Sequence, residues 1–126
     1  MDKLKCLDSL KKTVLEFIKD VEIGIAKGMI EKKMCLAFAE YFHNYSPLQL
    51  MNNCVKHMLP HKKRIEEKND EFLENELKLL FENITGTIFP LDMNIKERLN
   101  DPDDKETVWN YLSIILVITE QYKKDQ

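Results

Sequence analysis

Apolar residues recur along most of this chain at steps of three and four, the spacing of one face of an α-helix. Leu4, Leu7, Leu10, Val14, Phe17, Ile18 and Val21 keep that spacing with Lys and Asp opposite them, and predict a first helix from about Asp2 to about Val21. Gly24 and Gly28 bracket Ile25 and Ala26, so a break or C-cap belongs in that interval. A second helix is expected from about Lys27 to Asn44, with Ile30, Met34, Ala37, Phe38, Tyr41 and Phe42 as its apolar stripe. Small Ala37 and Ala39 beside Phe38 and Phe42 point to close packing on a neighbour.

Ser46-Pro47-Leu48-Gln49 is the clearest local signal: Ser caps, Pro suits the first helical position, and Gln follows three residues after the cap. A third helix therefore starts at Pro47 and runs to about Met58, with Leu48, Met51, Val55 and Met58 or Leu59 facing inward, until Pro60 ends or kinks it. The charged strip His61 to Asn69 reads as a short helical turn. Asn69 or Asp70 then caps a helix from about Glu71 to Asn83, with Phe72, Leu73, Leu77, Leu80 and Phe81 inside and Gly86 as the exit. Phe89-Pro90-Leu91 is expected to pack on the core as an apolar loop, followed by a short turn from Asn94 to Leu99.

Asp101 caps the last helix, Pro102 opens it, and Asp103 and Asp104 suit the positive end of its dipole. It runs to about Lys123, with Val108, Tyr111, Leu112, Ile115, Leu116 and Thr119 on one stripe and Trp109, Ile114 and Ile118 on the flank. A helix apolar nearly all round belongs at the centre of a fold. No repeat, low-complexity tract or linker interrupts the chain. The expectation is an all-α, single-domain bundle over residues 1–126, with about five helices around a central apolar C-terminal helix.

A length of 126 residues fits one domain. With 44% hydrophobic and 33% charged residues, the chain is too apolar for disorder and too polar for a membrane protein. Nineteen Lys and Arg against 22 Asp and Glu give a formal charge of −3, which disfavours a wholly basic nucleic-acid binder. The most apolar run, Tyr111 to Ile118, reaches about 12 Å as a helix against a bilayer core of roughly 30 Å, so no membrane insertion is expected. The first six residues have no uninterrupted apolar core and do not read as a signal peptide. Cys6, Cys35 and Cys54 then read as reduced, buried thiols, and the Asn83-Ile84-Thr85 sequon goes unused. The chain is expected inside a cell and not secreted.

Cys54, His57 and His61 are the sharpest chemical constellation. Their spacing puts three ligand-type residues within two turns, but zinc needs about four, and the helix that would align His57 with His61 is interrupted by Pro60. A buried Cys54 with two surface histidines is the plainer reading, and no cofactor is expected. Cys54 with a neighbouring histidine also makes a poor nucleophile and base, since such pairs usually come from remote positions. No phosphate-binding Gly-rich loop, Gly-x-Ser-x-Gly elbow or His-Glu-x-x-His is present, so no enzyme is expected. Asp101, Asp103, Asp104 and Glu106 lack the Gly and distant Glu of a calcium loop and read as a helix N-terminus.

Lys56, His57, His61, Lys62, Lys63 and Arg64 form a basic cluster, followed at once by Glu66, Glu67, Asp70, Glu71, Glu74 and Glu76. Each can be a solvated face. The basic strip could grip phosphate, though the acidic neighbour would repel it. The charge dipole could instead meet its opposite on another protein, or pair head-to-tail with a second copy. Met29, Met34, Met51 and Met58, with Phe38, Tyr41, Phe42 and Tyr45, fit either a partner groove or, more simply, core.

Asp104-Lys105-Glu106-Thr107-Val108-Trp109-Asn110-Tyr111-Leu112, an apolar run, and then Thr119-Glu120-Gln121-Tyr122 resemble a recurring ending. It is that of short helical proteins of large nucleocytoplasmic (giant) DNA viruses. Phe38 to Phe42, Asn44 to Pro47 and the strip His61 to Phe72 are similar more loosely. Trp109 and Tyr111 are core and flank residues in this motif. The resemblance implies no activity. It implies an interaction role in a virion or in the host cytoplasm or nucleus. The reading is thus a non-enzymatic interaction or structural module that contacts another protein or itself. The alternatives are a nucleic-acid-associated protein using Lys56 to Arg64, and a small metal site at Cys54, His57 and His61.

Overall fold

A computed structural model describes residues 2–26, 28–90, 97 and 99–124, and every regular element among them is helical. Helix α1 spans Lys3–Asp20 and is capped by the Asp2 carboxylate, which accepts from the Lys5 N–H at 2.9 Å. It continues into a π-helical turn, Val21–Ile25, closed by the Ala26 N–H donating to the Val21 carbonyl at 2.7 Å. Helix α2, Gly28–His43, starts on a glycine with φ 74°, a conformation that costs other residues about 1–2 kcal/mol. The break expected between Gly24 and Gly28 is this pair of features.

Helix α3, Pro47–His57, is capped as its sequence predicts, with the Ser46 hydroxyl accepting from the Gln49 N–H at 3.2 Å. A 3₁₀ turn at Leu59–His61 absorbs Pro60, and the charged strip begins as a short helix, α4, Lys62–Glu66. Helix α5 spans Asp70–Thr85, with Asn69 as N-cap and Gly86 as a left-handed C-cap. Helix α6 is Pro102–Lys124; at its start the Asp101 carboxylate accepts from the Asp103 N–H at 2.8 Å. Residues 91–96 and Arg98 lie outside the described residues, and with them Leu91 and most of the turn expected from Asn94 to Leu99.

Helix α6 is the one around which α1, α3 and α4 gather, while α3 also packs on α1 and α5. Aromatic rings tie the outer elements in. Phe17 of α1 lies 5.2 Å from Tyr111 of α6 and 6.3 Å from Phe81 of α5. Phe81 in turn meets Phe38 of α2 at 5.2 Å and Phe89 at 4.9 Å. Tilted and edge-on pairs of this kind add to the area they bury.

The buried faces differ from the expected stripes in phase. In α1 Leu4 is exposed and Cys6 takes an inward position. In α3 Leu48 is exposed, Val55 is half-buried, and Leu50, Met51, Cys54 and Met58 are buried. In α6 Ile114 and Val117 face outward, so the helix is not apolar-buried all round. The largest departure is in α2. Glu31, Cys35, Phe38 and Phe42 are buried, whereas Ile30, Ala37 and Tyr41 are exposed and Met34 is half-buried. The physical reason is that α2 packs through one edge, mainly on α1 and the π-turn, with Phe38 and Tyr41 reaching α5. One edge of its broad apolar surface satisfies that contact, and the rest is left outside.

Candidate interaction surface

The charged strip folds back on itself. Arg64 forms a two-armed pair with the Glu76 carboxylate, its second arm at 3.2 Å, and its guanidinium also sits 5.2 Å from the Phe72 ring centre. Lys62 donates to Glu120 at 2.6 Å, with Glu66 at 4.0 Å. The hydrogen bond to Glu120 holds the Lys62 ammonium above the ordinary lysine range. Asp70 accepts from Lys105 at 3.4 Å. Lys56, Lys63, Glu67, Glu71 and Glu74 form no ion pair among the described residues. Two of the four cations of the strip therefore face carboxylates of the same chain.

The Cys54, His57, His61 constellation is not brought together. Cys54 is fully buried beside Thr119, and burial pushes its thiol up to about 12. His61 turns the other way. Its Nδ1 accepts from Arg64 at 2.7 Å and its ring lies 5.1 Å from Phe72. Among the described residues no three His, Cys, Asp or Glu side chains converge as metal ligands. A thiol held protonated to such a pH is also a poor source of the thiolate that nucleophilic chemistry uses. Cys35 is likewise buried and raised to about 11, by burial first and then by the charges of Glu22 and Glu31.

The methionine and aromatic set divides. Met51, Met58, Phe38 and Phe42 are core. Met29 and Tyr41 are outside, and Met34 and Tyr45 are half-buried. What this leaves on α2 is a continuous outer stripe, Ile30, Met34, Ala37 and Tyr41, at steps of four, three and four. Ile30 is 73% exposed and Met29 beside it 70%. The segment after α5 adds Thr87, Ile88 (67% exposed) and Pro90, which form a shallow apolar groove with Met34, Ala37 and Tyr41.

Tyr41 is not a loose ring on this surface. Its hydroxyl donates to the Thr85 carbonyl at 3.2 Å, and its ring packs 5.8 Å from Tyr45. Asn53 holds the same corner by donating to the Tyr45 hydroxyl and to the Ile84 carbonyl, both at 3.1 Å. From α1, the Lys11 ammonium caps the end of α2 by donating to the His43 and Tyr45 carbonyls at 2.6 and 2.9 Å. The ring is thus fixed before any partner arrives, which lowers the ordering cost of binding. Periodicity names these α2 residues but assigns them to the core. Ile88 carries no sequence signal at all, because only the fold sets it beside α2.

Among the described residues no helix is long and apolar enough to cross a membrane. No family model, curated protein or solved structure matches this chain.

Proposed function

We propose that this chain is a non-enzymatic helical interaction module that works by protein–protein contact, with the outer face of α2 as its contact surface. The observation that carries this reading is the apolar row of Ile30, Met34, Ala37 and Tyr41, flanked by Ile88, which stays exposed at Ile30, Ala37 and Tyr41 and half-buried at Met34. Exposed apolar rows of this spacing suit docking against a helix. Tyr41 supplies the held aromatic anchor common at interface hot spots. Binding of nucleic acid by the strip from Lys56 to Arg64 is the weaker reading, because Lys62 and Arg64 already face Glu120 and Glu76. The reduced thiol set and the resemblance of the 104–122 segment support action inside an infected cell or a virion.

A photo-crosslinking residue placed at position 37 tests the surface, with position 79 on α5 as the exposed control. The expected result is a discrete adduct from position 37, absent from position 79 and lost when Ile30→Asp is added. Equal labelling from both positions, or none from either, would overturn the reading.

A further inference from the structure

The α2 stripe has the symmetry that a second copy of the same chain requires. Its four members are spaced evenly about a point between residues 35 and 36. Turning the helix end for end sets Ile30 against Tyr41 and Met34 against Ala37, a large side chain against a small one in the central layers. Lys33 and Glu40 lie on the flank of this stripe, seven residues apart and therefore on one line of the helix. Both are exposed, and neither enters an ion pair among the described residues. In an antiparallel pair, Lys33 of one copy comes beside Glu40 of the other, and the two-fold axis makes the match twice. A parallel pair would set this flank against the Phe38 and Glu31 flank of the other copy and lose both matches. The opposite flank is Phe38 and Glu31, which belong to the core, so only one side is open to charge pairing.

Resting on the reading of α2 as a contact surface, we infer that the occupant of this face is a second copy of the chain, docked antiparallel across a two-fold axis with Lys33–Glu40 pairs on its rim. The opposed helix dipoles favour this arrangement as well. The apolar row is short, so the dimer is a weak, reversible one.

Sedimentation equilibrium of the full chain tests it, using wild type, Lys33→Glu, Glu40→Lys and an equal mixture of the two variants. Wild type is expected to show a concentration-dependent monomer–dimer equilibrium. Each single reversal replaces two attractions by two repulsions and weakens the dimer about ten- to thirtyfold. The mixture restores both attractions and returns the affinity to that of wild type, as a heterodimer. A wild-type chain still monomeric at about 1 mM would overturn the inference. So would a dimer indifferent to both reversals, or a mixture that fails to recover. A monomer that nonetheless forms the discrete position-37 adduct with a different protein would overturn self-pairing while leaving the contact surface standing. A monomer with no such adduct removes both.

Discussion

Trp109 is 3% exposed and stacks on Phe72 at a ring distance of 6.4 Å, so its indole is core and not a surface anchor. Trp109→Ala should cost about 3–5 kcal/mol, read as the shift of a urea unfolding curve. A loss under about 1 kcal/mol would place the ring outside the core. Tyr111 makes a pH-dependent contribution. Burial, and then its hydrogen bond to the Asp20 carboxylate, push the phenol up to about 12 from its ordinary value of about 10. A group whose folded value is raised stabilises fully below its unfolded value and loses that contribution as pH climbs to the folded one. Stability should therefore fall from about pH 10 to 12, with Cys54 adding to the loss from about pH 9. Tyr111→Phe should flatten the fall in urea midpoints across that window. Parallel curves for variant and wild type would leave the loss to Cys54 and other groups.

At the scale of elements, the caps and exits are local chemistry. Ser46, Asn69 and Asp101 each present an oxygen to the first turn of a helix, as their positions predict. Gly86 is more demanding. It ends α5 with φ 72°, and a Cβ there would stand 3.3 Å from the Tyr41 hydroxyl. Gly86→Ala should destabilise by about 1–2 kcal/mol through the left-handed backbone alone. It should also displace Tyr41 from the Thr85 carbonyl, which a change in tyrosine fluorescence would report. Asn at the same position should cost less, since it tolerates this conformation. Equal penalties for Ala and Asn would put the cost in crowding against Tyr41 instead of in the backbone.

Across the whole molecule, α6 is packed by α1, α3 and α4 while α2 is held by one edge, and that asymmetry leaves much of the apolar side of α2 outside. A dimer through α2 links folding to association, so the melting midpoint should rise with protein concentration. Ile30→Asp, at a position 73% exposed, should abolish that dependence while leaving the midpoint of the dilute chain nearly unchanged. A midpoint independent of concentration in both proteins would speak against pairing.

Sequence alone carries the all-helical class and most helix ends, though not the π-turn at Val21–Ile25 or the last two residues of α5. Capping oxygens, Pro47, Pro60 and Pro102, and Gly86 act through hydrogen bonds and dihedral limits within a few residues, so they can be read without the rest of the chain. It also determined the inward face of α5, where Phe72, Leu73, Leu77, Leu80 and Phe81 leave little choice of phase. Only the tertiary structure decided which edge of α2 is buried, because Ile30 and Cys35 are both apolar enough for either side and the position of α1 makes the choice. Only it joined Arg64 to Glu76 and Lys62 to Glu120, since ion pairs 12 and 58 residues apart depend on how α4 meets α5 and α6. The proposed contact surface belongs to that second kind: its residues follow a helical pattern, but their exposure is a property of what the fold left uncovered.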